Sequence, residues 1–453
     1  MNADTLGQRK GFGCNRLEDI AYDSSVFLFR GMIMSSVVVS GLSSLYGEVS
    51  IQGSKNAVLP ILAASLLHAG VTVLKDCPCI SDVSDMLLIM EDLGCQVKWD
   101  NSTLIIDATK VNPIPVTQDT AKKTRASILF LGALLSRNKH AVISYPGGCT
   151  IGKRPIDIHV NSLKKMGVVL EDEDNVLTCN VLKLRGTKIE FPSPSVGATE
   201  NVLLAAVMAE GITEIVNAAR EPEITALCEF LIQSGAKITG LGTSCLRIEG
   251  VDELHDTSYQ VPPDRIVAGT YLTAVAAASG YAVIHGVIER DLSEVIYVLR
   301  KMGCLIDIRE NKAFIKRKGT LQSPGIITTE PFPGFPTDMQ SQFLSLMSVS
   351  YGESIIEERI FDARFNIVDD LNQMGALINI EDNKAIVQGL RKLRGTEVVA
   401  RDLRGGAALL IAGLTAEGIT VVRNTEYIER GYVDICKDLR NLNANIRMIK
   451  EVE

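Results

Sequence analysis

The stretch RGGAALLIAGLTAEGITVV, residues 404–422, carries the pattern from which the fold can be predicted. Residues 404–417 are nearly all apolar or small, which predicts a helix that is buried on every side. Gly418 follows, and glycine commonly ends a helix because it adopts the left-handed conformation without strain. Ile419 to Val422 is rich in β-branched residues and predicts a strand. A buried helix, a glycine cap and a strand are therefore expected in succession.

This pattern occurs six times after Ser35, so an internal repeat is the strongest structural signal in the chain. The first, apolar helix of each unit is predicted at residues 55–68, 125–136, 197–210, 265–279, 338–350 and 404–417. In five units a glycine closes this helix: Gly70, Gly211, Gly280, Gly352 and Gly418. A second, amphipathic helix ends at intervals of 68 to 73 residues at Gly94, Gly167, Gly235, Gly303, Gly375 and Asn443.

Two short strands joined by a polar turn are predicted to finish each unit, for example residues 376–380 and 384–387. The unit is thus a βαβαββ-like module. Such a module is too large and self-contained for a solenoid repeat, so we expect an α/β protein with two domains of three units each.

Composition narrows the possible functions. The chain has 453 residues, a hydrophobic content of 46% and a net charge of -8, which disfavours a nucleic-acid partner. Its ten cysteines are scattered and form no paired CxxC motifs, so neither a zinc site nor a disulfide framework is expected. No apolar run is long enough for a membrane span, and we expect a cytoplasmic protein with no cofactor and no membrane or obligate protein partner.

Residues 1–33 differ from the rest of the chain. They mix charged and small polar residues, and the short apolar run at 27–29 is ended by Arg30. This makes a poor signal peptide, so we interpret the segment as a loosely ordered extension ahead of a natural start near Met34.

The stretch YPGGCTIGKRPIDIH, residues 145–159, is the main candidate for chemistry. Its glycines let a ligand approach the backbone, and Cys149 lies between them. Lys153 and Arg154 follow directly, and nearby cations lower the pKa of a thiol. Pro155 and Asp157 are typical of the first turn of a helix. The alternative interpretation is a glycine turn with an incidental buried cysteine.

Charged residues begin five of the six apolar helices, namely Lys55, Arg125, Arg265, Asp338 and Arg404. Basic residues oppose the helix dipole at such positions, so their repeated placement favours an anionic ligand. Asn56, Arg364 and Arg430 add an amide and two guanidinium groups suited to carboxylate and phosphate oxygens. Asp338 is then a candidate general base among cations, although it could also be a plain N-cap residue.

Several segments together resemble the UDP-N-acetylglucosamine enolpyruvyl transferases, from about Met34 to the C-terminus. The cysteine loop at 146–159 is the most specific of them. The others are GSKNA (53–57), TRAS (124–127), SVGATEN (195–201), NAAREPE (217–223), PDR (263–265), FPTD (335–338), DLR (402–404) and RGY (430–432). The extension at residues 1–33 departs from the family pattern.

The resemblance implies an inside-out α/β barrel with two domains of three βαβαββ repeats and ligands in the cleft between them. The first domain would span residues 55–262 and carry the cysteine loop. The second would combine 34–54 with 263–453, since the chain would cross between domains near Lys55 and Pro262.

The resemblance also implies the reaction and the residue roles. The family transfers the enolpyruvyl group of phosphoenolpyruvate to the 3-hydroxyl of UDP-N-acetylglucosamine with release of phosphate, the first committed step of peptidoglycan synthesis. Cys149 would be the general acid and the target of fosfomycin, and Asp338, Lys55 and Arg404 would share in catalysis. The residues expected to bind phosphoenolpyruvate are Lys55, Asn56, Arg154, Arg364, Arg404 and Arg430. Those expected to bind the UDP-sugar are Arg125, Arg154, Pro155, Ile156, Asp157, Ile158, Ser193, Pro194, Ser195, Val196, Asp338 and Ile360.

Three alternatives stay open at this point. The 5-enolpyruvylshikimate-3-phosphate synthases share the fold and phosphoenolpyruvate but lack the cysteine loop. A paralogue with weak catalysis could act as a binding or regulatory protein, and a nucleic-acid end-modifying enzyme of related architecture is disfavoured by the acidic charge balance.

Overall fold

A computed structural model describes residues 34–112, 114–147, 156–362, 364–389 and 392–451. The α-helices of this part are α1 (Lys55–Ala64), α2 (Ser81–Asp92), α3 (Gln118–Ala121), α4 (Phe130–Asn138), α5 (Asp157–Lys165), α6 (Val196–Ala206), α7 (Pro222–Gln233), α8 (Arg265–Ala278), α9 (Ser293–Lys301), α10 (Gln340–Ser348), α11 (Val368–Gln373), α12 (Leu403–Thr415) and α13 (Ile435–Asn441). Short 3-10 helices lie at Ser65–Leu67, Arg125–Leu129, Glu289–Asp291, Thr337–Met339 and Thr425–Arg430.

The strands of the described residues are short, mostly of five residues. They are β1 (Met34–Ser40), β2 (Tyr46–Ser50), β3 (Val71–Lys75), β4 (Gln96–Asp100), β5 (Thr103–Asp107), β6 (His140–Ser144), β7 (Val169–Glu173), β8 (Val176–Asn180), β9 (Lys188–Glu190), β10 (Ile212–Val216), β11 (Lys237–Thr239), β12 (Cys245–Glu249), β13 (Thr257–Gln260), β14 (Tyr281–His285), β15 (Cys304–Arg309), β16 (Lys312–Arg317), β17 (Ile326–Thr328), β18 (Glu353–Glu357), β19 (Leu377–Glu381), β20 (Lys384–Gln388), β21 (Glu397–Val399), β22 (Ile419–Arg423) and β23 (Ile446–Glu451).

The strands form six small sheets in the described residues, and five of them have the same four-stranded plan. One outer strand pairs parallel with its neighbour, and the remaining pairs are antiparallel, as in the order β17-β18-β20-β19. The sixth sheet, β6-β8-β7, has three strands, and an isolated parallel bridge between Val116 and Ile143 takes the place of the fourth. The sixfold repeat predicted from the sequence is therefore confirmed.

Three of the sheets are completed by a strand from another part of the chain. This corrects the expectation that every unit closes with its own strand pair. The sixth unit contributes β23, and β1 from the N-terminal side pairs with it and with β22. In the same way β2 pairs parallel with β14 of the fourth unit. Strand β13 pairs parallel with β3 and so joins the third unit to the first.

The apolar first helices of the units lie at the centre of the fold, as predicted. Helices α8, α10 and α12 contact one another, as do α1, α4 and α6. Almost every residue of these helices is buried, including Leu403 to Leu414 of α12. Two of the predicted helices begin with a 3-10 turn, at Arg125–Leu129 and Thr337–Met339.

Buried apolar side chains form two separate clusters. One contains residues between Val58 and Val261, and the other combines residues 37–49 with residues between Ile266 and Ile446. The two segments that connect them lie side by side, since Ser54 N donates to Pro262 O at 2.7 Å and Asp264 N to Gln52 O at 2.9 Å. We propose that each cluster is the core of one three-unit domain.

The predicted glycine caps are right for the second helices and partly wrong for the first. All six residues that end the second helices have positive φ angles: Gly94, Gly167, Gly235, Gly303, Gly375 and Asn443. Of the other set, Gly211, Gly352 and Gly418 have positive φ, whereas Gly70 and Gly280 do not. At the end of α8 the left-handed residue is Ser279, with φ of 59°. Gly280 is instead required by close packing, because a Cβ atom there would lie 1.8 Å from Leu45 O.

Candidate active site

The beginnings of three central helices position the main charged side chains. Ser54, Asp264 and Asp402 are the N-cap residues of α1, α8 and α12, and each accepts hydrogen bonds from backbone N–H groups of the first turn. These caps fix where the helices start, so that Lys55, Arg265 and Arg404 lie in the first turns. The carboxylate of Asp264 also accepts from Lys55 N at 3.0 Å, which joins α1 to α8.

Asp338 lies between two guanidinium groups. Arg364 Nη2 donates to Asp338 Oδ1 at 2.7 Å, and Arg404 donates to Oδ2 from Nη2 at 3.0 Å and from Nε at 3.2 Å. The two arginine side chains are each 4% exposed, and the Asp338 side chain is 27% exposed. Burial alone would raise the pKa of the Asp338 carboxyl, but Arg404 and Arg364 outweigh it and hold this pKa well below its usual range. Asp338 is therefore an ion-paired carboxylate and not a plain N-cap.

A second ion cluster lies at the start of α1. Lys55 Nζ is 2.7 Å from Asp82 Oδ2, while Arg430 donates from Nε to Asp82 Oδ1 at 2.8 Å and from Nη2 to Oδ2 at 3.3 Å. Burial lowers the pKa of Lys55, Arg430 and Arg404 lower it further, and Asp82 opposes the shift. Burial likewise disfavours the charged form of Asp82, but Lys55 and Arg430 outweigh it and lower its pKa.

A hydrogen-bond network through Thr337 and Glu358 holds Arg364 in the Asp338 cluster. Arg364 Nη1 donates to Thr337 Oγ1 at 2.9 Å, and Thr337 Oγ1 donates to Glu358 Oε2 at 2.8 Å. Glu358 is buried, and its Oε1 accepts from Thr329 Oγ1 and from the N–H groups of Ile360 and Phe361. Glu358 therefore holds both the residue before Asp338 and the segment that leads to Arg364.

Two arginine N–H groups in this site have no protein partner among the described residues. Arg364 Nε and Arg404 Nη1 are both buried and make no hydrogen bond there. A buried donor without a partner is costly, because its desolvation is not compensated. These donors are therefore suited to a ligand that brings acceptor oxygens into the site.

A cavity of about 420 Å³ lies beside the same helix starts. Ser54, Glu223, Arg265, Asp291 and Phe332 contribute to its walls. Arg265 forms a two-pronged ion pair with Glu223, from Nε at 2.9 Å and from Nη2 at 3.3 Å, and lies over the ring of Phe332. The cavity thus adjoins Lys55 through its neighbour Ser54.

Seven of the residues expected to contact a UDP-sugar, at 156–158 and 193–196, lie at the beginnings of α5 and α6. Ile156 is the N-cap residue of α5, and Asp157 and Ile158 begin that helix. Ser195 caps α6, its hydroxyl accepting from Ala198 N at 3.4 Å. Asn201 Nδ2 and His159 Nδ1 are 3.0 Å apart, which fixes α5 against α6. The His159 ring also lies against Gly197 in the first turn of α6, where a Cβ atom would be 3.2 Å from His159 Cε1. The two helix starts are therefore side by side, and their dipoles favour an anion.

The structure brings together Lys55, Asp338, Arg364, Arg404 and Arg430 as two neighbouring ion clusters. Asn56 and Arg125 lie half-buried at the starts of α1 and of the Arg125–Leu129 turn, and the partly exposed Ile360 directly follows the Glu358 network. Ser193, Pro194 and Val196 precede or begin α6. Cys149, Arg154 and Pro155 lie outside the described residues.

Sequence reasoning missed three residues that the structure places in the clusters: Asp82, Thr337 and Glu358. Asp82 occupies an ordinary position for an acidic residue, the first turn of α2. Its partner Arg430 is 348 positions away, so no local pattern marks the pair. Thr337 and Glu358 are similarly ordinary in sequence, and only the fold brings them together.

Two negative findings apply to the described residues. None of their His, Cys, Asp and Glu side chains form a group of three that could hold a metal ion. None of their helices is both long and apolar enough to cross a lipid bilayer.

Comparison of structures first identifies the class of fold. The enolpyruvyl transferase NikO from Streptomyces tendae has a TM-score of 0.84 at 24% identity, over 93% of this chain and 100% of that one. An EPSP synthase from Acinetobacter baumannii has a TM-score of 0.71 at 19% identity, over 92% and 100%. The predicted α/β fold of the enolpyruvyl transferases is therefore confirmed.

Comparison of sequences then gives the family. The family profile described as EPSP synthase (3-phosphoshikimate 1-carboxyvinyltransferase) matches residues 39–439. UDP-N-acetylglucosamine 1-carboxyvinyltransferase 2 of Caldanaerobacter subterraneus is 45% identical over 91% of this chain and 99% of its own length. The UDP-N-acetylglucosamine 1-carboxyvinyltransferase of Desulforapulum autotrophicum is 41% identical over 92% of this chain and its whole length. The chain belongs to the UDP-N-acetylglucosamine 1-carboxyvinyltransferases, a branch of the enolpyruvyl transferase family.

Proposed function

We propose that the protein transfers the enolpyruvyl group of phosphoenolpyruvate to the 3-hydroxyl of UDP-N-acetylglucosamine and releases inorganic phosphate. The observation that carries this proposal is the near full-length similarity to relatives named for this activity, at 41–45% identity. The convergence of Lys55, Arg364, Arg404 and Arg430 supports it, because phosphoenolpyruvate carries both a phosphate and a carboxylate. The reaction would be the first committed step of peptidoglycan synthesis in the cytoplasm, and so serve cell-wall growth, cell shape and division.

The phosphate of phosphoenolpyruvate is assigned to the cluster at the start of α1. Lys55 Nζ and the Arg430 guanidinium share one carboxylate, Asp82, so both cations already point at a common anion position. The adjoining Asn56 can donate from its amide, and Arg154 would come from the cysteine loop. A fork and an ammonium group together suit the oxygens of a phosphate.

The carboxylate of phosphoenolpyruvate is assigned to Arg364 and Arg404. Both guanidiniums are buried, and each has one N–H donor without a partner among the described residues. A substrate carboxylate would accept from these donors and satisfy groups that are otherwise costly to bury. Fixed cations of this kind also stabilise the charges that develop at the reacting carbon.

Asp338 is proposed to take the proton of the sugar 3-hydroxyl, and the substrate carboxylate makes this possible. While Arg364 and Arg404 both hold Asp338, its pKa is too low for an effective base. A second carboxylate on the same two arginines divides their charge between two anions. The pKa of Asp338 then rises toward its ordinary value, so the base becomes effective once phosphoenolpyruvate is bound.

Cys149 is proposed as the general acid that protonates the methylene carbon of phosphoenolpyruvate. Oxygen of the sugar bonds to carbon 2, the thiol proton goes to carbon 3, and a tetrahedral intermediate results. The Cys149 thiolate then takes a proton back from carbon 3, and phosphate leaves with the proton held by Asp338, which yields the enolpyruvyl ether and restores both groups. The described residues nearest to Cys149 are Gly147, whose N–H donates to Ala121 O in α3, and Ile156, the N-cap residue of α5.

The UDP portion is assigned to the starts of α5 and α6 with Arg125. Residues 156–158 and 193–196 offer two helix beginnings, and the His159–Asn201 contact holds the two helices together. Helix N-termini favour phosphate groups, and Arg125 adds a positive charge. Asp338 and Ile360 would contact the sugar ring on the opposite side.

The test is phosphate release from phosphoenolpyruvate with UDP-N-acetylglucosamine or shikimate 3-phosphate as acceptor. Shikimate 3-phosphate is the relevant competitor, because the matching family profile is described by that activity. Release with the UDP-sugar alone is expected. Release with shikimate 3-phosphate alone would contradict the proposal, and release with neither, from protein that binds the UDP-sugar, would favour a binding paralogue.

A further inference from the structure

Asp82 occupies the anion position between Lys55 and Arg430 as a phosphate group would. Its Oδ2 atom is 2.7 Å from Lys55 Nζ, and both of its oxygens accept from the Arg430 guanidinium. The Asp82 side chain is only 4% exposed, and those of Lys55 and Arg430 are 11% and 17% exposed. All three charges are thus largely removed from water, where their interactions are strong.

The carboxylate and a phosphate compete for the same cations. A phosphate that binds Lys55 and Arg430 comes close to Asp82, and like charges brought together in a site that excludes water oppose binding. Asp82 lies in the first turn of α2, where the helix dipole still favours its negative charge after a phosphate has displaced it from the two cations. Asp82 therefore reduces the affinity of these cations for any phosphate.

We propose that Asp82 is a specificity-determining residue that holds Lys55 and Arg430 between turnovers, yields them to the phosphate of the substrate, and returns to them as inorganic phosphate leaves. This inference rests on the proposed function, which assigns Lys55 and Arg430 to that phosphate. Phosphoenolpyruvate overcomes the competition because its carboxylate also binds Arg364 and Arg404. Inorganic phosphate lacks the carboxylate and is rejected, so the product does not block the site.

The test is the dissociation constant of inorganic phosphate, measured by titration calorimetry on the full-length wild type and on Asp82→Asn. We expect the variant to bind phosphate at least about tenfold more tightly, because one opposing charge is gone. Phosphate should also become a stronger competitive inhibitor against phosphoenolpyruvate. Unchanged or weaker phosphate binding by the variant would overturn the proposal.

The charge of Lys55 has to be controlled in this experiment. Burial lowers the pKa of Lys55, Asp82 on α2 raises it, and Arg430 and Arg404 lower it further. The Asp264 carboxylate accepts from the Lys55 backbone N–H. Removing Asp82 lowers this pKa further, so the titrations are made below neutral pH, where the ammonium form is favoured. If Asp82→Asn does not fold, Asp82→Ser carries the same prediction, since it also removes the negative charge.

A matched control is Glu223→Gln. Glu223 is a buried carboxylate at the start of α7 that forms the same kind of two-pronged pair with a different arginine, Arg265. We expect its phosphate affinity to match the wild type, and an increase equal to that of Asp82→Asn would overturn the proposal. Lys55→Ala separates the two claims. If it loses phosphate binding while Asp82→Asn is unchanged, the cation assignment holds and only the role of Asp82 fails.

Discussion

Asp338→Asn tests whether Asp338 holds two buried cations together. The substitution removes the negative charge that lies 2.7 Å from Arg364 Nη2 and 3.0 Å from Arg404 Nη2, and keeps the size of the side chain. Both guanidiniums would then be buried without a counter-ion. Removing one partner of a buried ion pair typically costs roughly 3–5 kcal/mol. Because Asp338 is 27% exposed, we expect a loss at the lower end, about 3 kcal/mol.

The assay is thermal unfolding followed by calorimetry. For a domain of this size, a loss of about 3 kcal/mol lowers Tm by about 6–12 °C. Saturating phosphoenolpyruvate should raise the Tm of Asp338→Asn by more than that of the wild type, because the substrate carboxylate replaces the missing charge. Turnover should be lost, since the asparagine amide cannot accept the sugar proton.

Glu397→Gln is the matched control for this prediction. Glu397 also binds an arginine through two hydrogen bonds, Arg423, but its side chain is 53% exposed. Exposed pairs contribute at most about 1 kcal/mol, so its Tm should stay close to that of the wild type. An Asp338→Asn protein that unfolds at the wild-type temperature, with or without substrate, would show that Asp338 does not hold Arg364 and Arg404 together.

Three further predictions concern the acid, the supporting network and pH. Cys149→Ser should lose most turnover yet bind the UDP-sugar in calorimetry, and full activity of this variant would exclude the acid role. Cys149→Asp should keep activity but resist inactivation by fosfomycin. Glu358→Ala should raise KM for phosphoenolpyruvate, because Thr337 then no longer supports Arg364. Glu358→Gln should have a KM between those of Glu358→Ala and the wild type. Equal KM values in steady-state kinetics would contradict the role of the Glu358 network. The folded-state pKa values of Asp82 and Asp338 are lowered. The two carboxylates therefore contribute fully to the free energy of unfolding above the unfolded-state pKa of about 3.9, and this contribution declines as pH falls below it. The stability difference between wild type and Asp338→Asn should therefore shrink in acid-unfolding experiments below that pH, and a constant difference would contradict the assignment.

The repeat could be predicted from the sequence because its signals are local. A run of small apolar residues marks each central helix, and the backbone at Gly94 or Gly375 needs a residue that tolerates positive φ. Gly280 shows the limit of this reasoning. There the glycine is required by contact with Leu45 O, and packing of this kind leaves no local trace.

Part of the candidate site could be predicted from the sequence, because some of its residues also carry a local signal. Lys55 and Arg404 stand out because a cation at the start of an apolar helix opposes the helix dipole. Asp82 could not be recognised, since an acidic residue in the first turn of a helix is favourable without any ligand. Only its ion pair with Arg430, 348 positions away in the chain, marks Asp82 as part of the site.

The most direct test of the proposed reaction is an NMR analysis of the product formed from phosphoenolpyruvate labelled with carbon-13 at carbon 2. We expect the labelled carbon to become bonded, through the ether oxygen, to carbon 3 of the N-acetylglucosamine ring, with one phosphate released per ether formed. A label attached elsewhere, or phosphate released without any labelled ether, would contradict the proposed reaction.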